Sequence, residues 1–336
     1  MTVHRFAIFT AGTTIFLVIA GGLVTSTGSG MSVPDWPLSY GQLMPPMTGG
    51  VFYEHGHRMV ATFVGLLTLI LAVWLWRTEK RAWVRYLGLA ALASVIIQGA
   101  LGGLTVLFLL PTPLSVAHAV VAQSFFALVV VIALVTSPAW HRHVRTELAS
   151  ISTTRVFAIG TTAMILLQLV IGAWMRHSNA GLAIPEFPLS YGHLAPPADR
   201  ESLQGINDLR LSLNLAPVDL GQIWIHYAHR LGAMLVMLFS LATTIHVLRT
   251  YRSEQRLREA AVILLLLVLF QVFLGALTVL MRKGVEVTTA HVAVGALVLA
   301  ESVLLTVRTF QLYRAPGRVA VGESEGEGNA ATAASA

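Results

Sequence analysis

Apolar residues along this chain are gathered into eight long blocks separated by short polar segments, at about 6–26, 53–76, 84–108, 112–136, 154–175, 220–247, 259–281 and 286–310. Each block, wound as a helix, is long enough to cross a bilayer core of about 30 Å. The pattern predicts an all-α membrane protein with eight transmembrane helices. The short links that contain Pro111 and Pro113, and Arg282 to Gly284, predict two helical hairpins. The first block, from Phe6 to Val24, has no basic run before it beyond His4 and Arg5 and no clear cleavage site. It reads as a retained helix rather than a signal peptide.

Composition removes the soluble alternative. The 336 residues are 55% hydrophobic and 11% charged, with a mean hydropathy of +0.73, whereas a soluble domain carries about 25% charged residues. The 22 Lys and Arg against 16 Asp and Glu give a net charge of +6. In a soluble chain that excess would suggest nucleic acid. In a membrane protein, basic residues mark the cytoplasmic loops. Counting alternate loops as cytoplasmic gives them 15 of the 22 basic residues; Arg58, Arg176, Arg200, Arg210, Arg230, Arg282 and Lys283 fall on the other side. Both termini are therefore expected in the cytoplasm, and loops 27–52 and 176–219 outside. The chain has no cysteine, which rules out disulfides, thiolate metal sites, iron–sulfur clusters and covalently attached haem. The tail from Gly322 is acidic, small and polar, a composition that predicts disorder.

An internal repeat locates the chemistry. Residues 30–46 (GMSVPDWPLSYGQLMPP) and 181–197 (GLAIPEFPLSYGHLAPP) are identical at ten of 17 positions, at an offset of 151. YEHGHR at 53–58 matches IHYAHR at 225–230, and QGALGGLTVL at 98–107 followed by His118 matches QVFLGALTVL at 271–280 followed by His291. The chain thus reads as two tandem, pseudo-symmetric four-helix bundles, 1–136 and 154–312, joined by a cytoplasmic linker, 137–153, and followed by a disordered tail, 313–336. An even number of spans per unit gives both the same orientation, related by an axis along the membrane normal. The Pro-rich repeated segments cannot be long helices and are expected to lie over the bundle mouths as lids.

Each unit places one histidine near the outer start of its second helix and one near that of its fourth: His57 with His118, and His229 with His291. Polar side chains within spans are costly and face a bundle interior. Two imidazoles opposed across a four-helix bundle suit a haem with both axial positions filled; zinc competes, but asks for three or four protein ligands. Arg58 and Arg230 each follow a bundle histidine, where a guanidinium could pair with haem propionates or snorkel to lipid phosphates. Glu54 precedes His57 by three residues and shares its helix face, while its counterpart is His226. An acid beside only one of the two sites points to chemistry there, through proton transfer or charge stabilisation; the alternative is a solvated interfacial carboxylate. His55 lies off that face and reads as interfacial. Glu301 is either a hydrogen-bonded structural acid or part of a proton path. The run Gly99 to Gly103 reads as a helix-packing or cofactor-clearance stretch.

These residues together resemble the haem A synthase family, over residues 5–312: eight spans in two halves, the Glu-x-x-His-Arg motif at Glu54, His57 and Arg58, and the later His118, His229 and His291. The resemblance implies a membrane oxidoreductase that oxidises the C8 methyl group of haem O to the formyl group of haem A, for terminal oxidases. It implies haem b between His229 and His291, with Arg230 beside it. It implies substrate haem O near His57, His118 and Arg58, with Glu54 as the catalytic residue. Haem O synthase is a candidate partner and a homo-oligomer a candidate assembly in the cell membrane, with no nucleic acid. Many bacterial relatives carry a cysteine pair in an outer loop, which this chain lacks. Two other functions share the histidine pattern: a dihaem b-type electron carrier and a haem transporter or chaperone. A carrier has no use for a one-sided Glu54, and its haems would be stacked across the membrane rather than placed near one face.

Overall fold

The computed structural model describes residues 2–141, 146–148, 150–197 and 199–314. Eight long helices are α1 Val3–Ser26, α2 Gly49–Thr78, α3 Ala82–Leu107, α4 Thr112–Val135, α6 Ile151–His177, α8 Leu220–Thr250, α9 Gln255–Leu280 and α10 Val285–Leu312. Two short ones, α5 Pro138–His141 and α7 Arg200–Ser212, lie in the links. All eight long helices are long and apolar enough to cross a membrane. Several run past the apolar blocks, as α2 does from Gly49 to Thr78 and α8 to Thr250. Arg77 and Arg249 sit in their last turns, where a cation offsets the negative end of the helix dipole.

The helices close into two rings with the same order of neighbours. In the first, α1 packs on α2 and α4, α2 on α3, and α3 on α4; in the second, α6 packs on α8 and α10, α8 on α9, and α9 on α10. The rings meet through α1 against α10, α4 against α10 and α4 against α6. Each has its own buried apolar cluster, around Leu71, Leu75 and Ile132 in the first and Leu257, Leu264 and Leu305 in the second. Large apolar side chains also cover the outside, among them Leu66, Ile97, Leu238, Leu266 and Phe273. That arrangement suits hydrocarbon rather than water. Several buried hydroxyls bond within their own helices, as Thr14 donates to the carbonyl of Thr10 (2.7 Å) and Thr68 to that of Val64 (2.8 Å), and Thr161 and Thr243 bond each other across α6 and α8 (2.8 Å).

At the end of the bundle where the chain starts, the linker and the last described residues pair: β1 Thr146–Glu147 runs parallel to β2 Tyr313–Arg314. Tyr313, placed by the sequence reading at the head of a disordered tail, is 2% exposed. Its hydroxyl donates to Glu254 (2.8 Å) and its carbonyl accepts from Arg155 (2.9 Å). A buried aromatic with a satisfied hydroxyl overrides the polar composition that follows it; the tail proper, from residue 315, lies outside the described residues. The other end carries the α3–α4 and α9–α10 turns and two long connections, residues 27–48 and 178–219, here called the first and second straps.

Candidate functional site

The two straps fold alike because the same residues make the same bonds. Asp35 accepts from the amides of Tyr40 (2.7 Å) and Gly41 (2.8 Å), and those amides, Gly41 first, hold its carboxyl below the usual carboxylate range. Glu186 accepts in the same way from Gly192 (2.7 Å). The tyrosine of each PLSYG segment turns back on the strap, Tyr40 to the carbonyl of Ser32 (2.5 Å) and Tyr191 to that of Ala183. Gly41 and Gly192 follow with φ of +69° and +79°, a region glycine adopts without strain.

Each strap is fastened by the arginine that follows a bundle histidine. Arg58 donates through Nη1 to the carbonyls of Asp35 (2.7 Å) and Leu38 (2.9 Å), and through Nη2 to Glu54 (2.7 Å) and the carbonyl of Val33 (3.3 Å). Arg230 donates through Nη1 to Leu189 (2.9 Å), through Nη2 to Glu186 (2.6 Å) and Ile184 (3.1 Å), and meets His226 through Nε (3.2 Å). Both guanidiniums thus face strap carbonyls, a use the sequence reading did not foresee. His55, read as interfacial, is 6% exposed and bonded through Nδ1 to Ser39 Oγ (2.7 Å). The strap covers it, which no helix periodicity reveals.

Glu54 and His226 fill one position in the two halves. Glu54, 4% exposed, accepts from Arg58 at one oxygen and from the amide of Val33 at the other (2.9 Å). His226, 3% exposed, faces the amide of Ile184 at Nδ1 (3.2 Å) and Arg230 at Nε2. Both sites present two donors. A carboxylate accepts both, whereas a neutral imidazole has one acceptor nitrogen. The negative charge at this position is thus a property of the first half alone.

The repeat-matched histidines His57, His118, His229 and His291 lie six to nine residues inside their helices, roughly 9–14 Å along the axis. Each faces a glycine on the preceding helix of its ring. A Cβ on Gly21 would lie 3.1 Å from His57, on Gly102 3.2 Å from His118, on Gly172 2.7 Å from His229 and on Gly275 3.2 Å from His291. The His229 and His291 ring centres are 6.4 Å apart, with planes at 75°. Nitrogen–metal bonds of about 2.0–2.1 Å place two imidazole centres on opposite sides of one ion about 6 Å apart. Nδ1 of His118 and of His291 is buried without a partner. Among the described residues, no group of three or more His, Asp or Glu is disposed to hold a metal ion. Paired imidazoles, each packed against a glycine of the neighbouring helix, fit a haem, and two donors per pair are too few for zinc.

Glutamines set the helix positions around these rings. Gln98 donates to the carbonyl of His118 and Gln271 to that of His291, both at 2.9 Å, and Gln168 to that of His229 at 2.7 Å. Gln168 also lies 2.9 Å from His229 Nδ1, in space left by Gly232. In the first half, Leu17 and Val60 take the places of Gln168 and Gly232, so only the second half has this polar brace. Over the first half, the Trp36 indole rests on Gly103, where a Cβ would lie 2.7–3.0 Å from ring atoms. Glu301, on α10, has no hydrogen-bond partner among the described residues and stands apart from both clefts.

The family model of COX15-CtaA, cytochrome oxidase assembly protein, matches residues 4–51 and 48–303. The chain is 30% identical over 333 residues to the haem A synthase of Geobacillus kaustophilus, covering 97% of both proteins. It is 28% identical to that of Geobacillus thermodenitrificans, covering 85% of this chain and 84% of the relative. It is 26% identical to that of Listeria monocytogenes, covering 82% and 85%. With a family model spanning most of its length and a relative matched end to end, the chain belongs to the COX15-CtaA family of cytochrome oxidase assembly proteins.

Proposed function

We propose that this chain carries out the haem A synthase reaction, as a multi-pass oxidoreductase of the cell membrane that oxidises the C8 methyl group of haem O to a formyl group. The observation that carries this reading is a pair of matched two-histidine clefts with a carboxylate at only one. His57 and His118 receive haem O in the first bundle, and His229 and His291 hold haem b in the second. Haem b there supplies a one-electron redox centre. Glu54 takes part in the chemistry, because oxidising a methyl group removes electrons and protons and develops positive charge that a nearby carboxylate stabilises or relays. Arg58 and Arg230 serve the two sites by holding the straps over them, so that the clefts exclude water and the reacting ring is kept in register. The straps face the outside and both termini the cytoplasm, in keeping with the basic bias of the loops. Haem O synthase is the partner that would hand over the substrate, and a homo-oligomer is compatible with the apolar outer surface.

Extraction and chromatography of haems from cells that co-express this protein with a haem O source is the test. Accumulation of haem A is the expected result. A b-type spectrum with haem O left unchanged would instead favour an electron carrier, and haem O bound without conversion a transporter.

A further inference from the structure

Arg176 lies on α6 four residues beyond Gly172, on the same face and about 6 Å further along the axis. It thus stands one turn above the cleft of His229. Its Nη2 donates to the carbonyl of Gly22 (3.2 Å) and to Ser26 Oγ (3.0 Å) on α1. Ser26 also accepts from Thr289 of α10 (3.2 Å), two residues before His291. The ion pairs among the described residues are Glu54–Arg58 and Glu79–Arg81; neither involves Arg176. This half-buried guanidinium in the last turn of α6 is met by a carbonyl and a hydroxyl and has no carboxylate partner among the described residues. Lys283, at the α9–α10 turn, is its cationic neighbour; burial and then the charge of Arg176 hold its ammonium below the usual lysine range.

The first half has the same backbone here without the charges. The position matching Arg176 is Thr25, whose hydroxyl turns back to the carbonyl of Gly21 (3.1 Å). The α3–α4 turn carries Leu109 and Leu110 at φ +60° and +59°, and the α9–α10 turn carries Arg282 and Lys283 at +50° and +63°. Turns with matching dihedrals thus carry two leucines in the first half and two cations in the second, of which Arg282 donates to the carbonyl of Leu213 (3.5 Å). Turn geometry therefore does not explain the cations.

We infer that Arg176, seconded by Lys283, binds the carboxylate groups of the macrocycle held between His229 and His291, and that the first bundle has no counterpart. This rests on the reading that the second bundle holds a haem. A planar guanidinium suits a carboxylate, which it engages with two parallel bonds. A site that keeps its haem gains from such an anchor. A site that must release its macrocycle at each turnover does not.

The test uses the purified intact protein. The midpoint potential of the b-type chromophore and the haem bound per chain are measured for the wild type, Arg176→Gln, Arg176→Lys and Ser26→Ala. Removing the cation favours the oxidised iron, so Arg176→Gln is expected to shift the redox equilibrium about tenfold, a fall of about 59 mV for one electron. Arg176→Lys retains most of the wild-type potential. Ser26→Ala, which removes the α1 contact but not the charge, leaves it unchanged. Wild-type potential and haem content in Arg176→Gln would overturn the inference. Should that variant fail to fold, wild-type protein stripped of haem is reloaded with iron porphyrin bearing free or esterified carboxylates. The ester is expected to be retained about tenfold more weakly, and equal retention would overturn the anchor. A wild type that purifies without a b-type spectrum would instead sink the second-bundle reading beneath it.

Discussion

Substituting Glu54 by histidine installs in the first half the residue that the second half already uses, and so separates what Glu54 builds from what it does. Glu54 accepts from Arg58 at 2.7 Å and from Val33 at 2.9 Å, each a charge-assisted bond with a net contribution of about 1.5–3 kcal/mol. A histidine accepts one of the two, as His226 does between Ile184 and Arg230, so the cost to strap docking is about one such bond. Glu54→Ala would be harsher, since it leaves Arg58 without its ion-pair partner at a site where breaking a buried pair costs about 3–5 kcal/mol. With histidine the strap stays down and the charge is lost. The expected outcome is an unchanged b-type spectrum and a fall in haem A of about 10²-fold, the usual range for a positioned acid–base group. Haems are extracted from the variant and from Ser39→Ala, which loosens the same strap by removing its bond to His55 and leaves Glu54 intact. Ser39→Ala is expected to make haem A normally. Normal haem A from Glu54→His would refute the catalytic role and leave Glu54 as a fastener only.

The glycine clefts predict a graded response. Gly172→Ala, with its Cβ 2.7 Å from His229, should lower bound haem more than Gly275→Ala at 3.2 Å, through overpacking of about 1–3 kcal/mol, while Gly160→Ala, with nothing within 4 Å, should leave haem content unchanged. Gly103→Ala should displace Trp36 and lower the melting temperature, and the double variant with Trp36→Phe, the pair the second half carries at Phe187 and Ala276, should recover it; a double variant no better than the single would show that the two do not touch. A periplasm-dependent reporter fused after Ala336 should be silent and one inserted in the first strap active, and the reverse would overturn the topology.

The helices were legible because a bilayer imposes a length that apolar blocks display directly, and the four cleft histidines because the repeat aligned them. The glycines facing His57 and His229 were equally within reach: Gly21 and Gly172 obey the same offset of 151 as the straps. They escaped notice because a missing side chain carries no chemistry until its neighbour across the ring is known. Arg58 and Arg230 were recognised, but not their partners. Their donors meet main-chain carbonyls of a segment twenty to forty-six residues away in sequence, and carbonyls leave no mark on residue identity. The same holds for Arg210, which is 3% exposed and donates to the carbonyls of Leu182 (2.7 Å) and Ala216 (2.8 Å). On charge alone it reads as an outer-loop surface residue.

Arg210 belongs to α7, within the insertion that changes the repeat offset from 151 to 172, and it completes a contrast that runs through the molecule. The repeated segment of the second strap is covered by the strap's own α7, with Ile206 packed in one apolar cluster with Ala183, Ile184 and Ile223, and it is tied from above by Arg210 and from below by Arg230. The first strap has no such cover and is fastened from below, through Arg58, Glu54 and His55. Below the straps, the second cleft has a glutamine on His229 where the first has Leu17. Each added contact restrains the second site and none has a counterpart in the first, although the two rings share their order of helices. Together with the charge that Glu54 brings to the first half alone, this difference in restraint is what two demands on one scaffold would select. A resident cofactor gains from every contact that slows its loss, whereas a substrate held equally tightly in ground state and transition state gains nothing in rate. Under the proposed function, the two rings would supply ligands to both macrocycles, and the unequal straps would set how long each is kept.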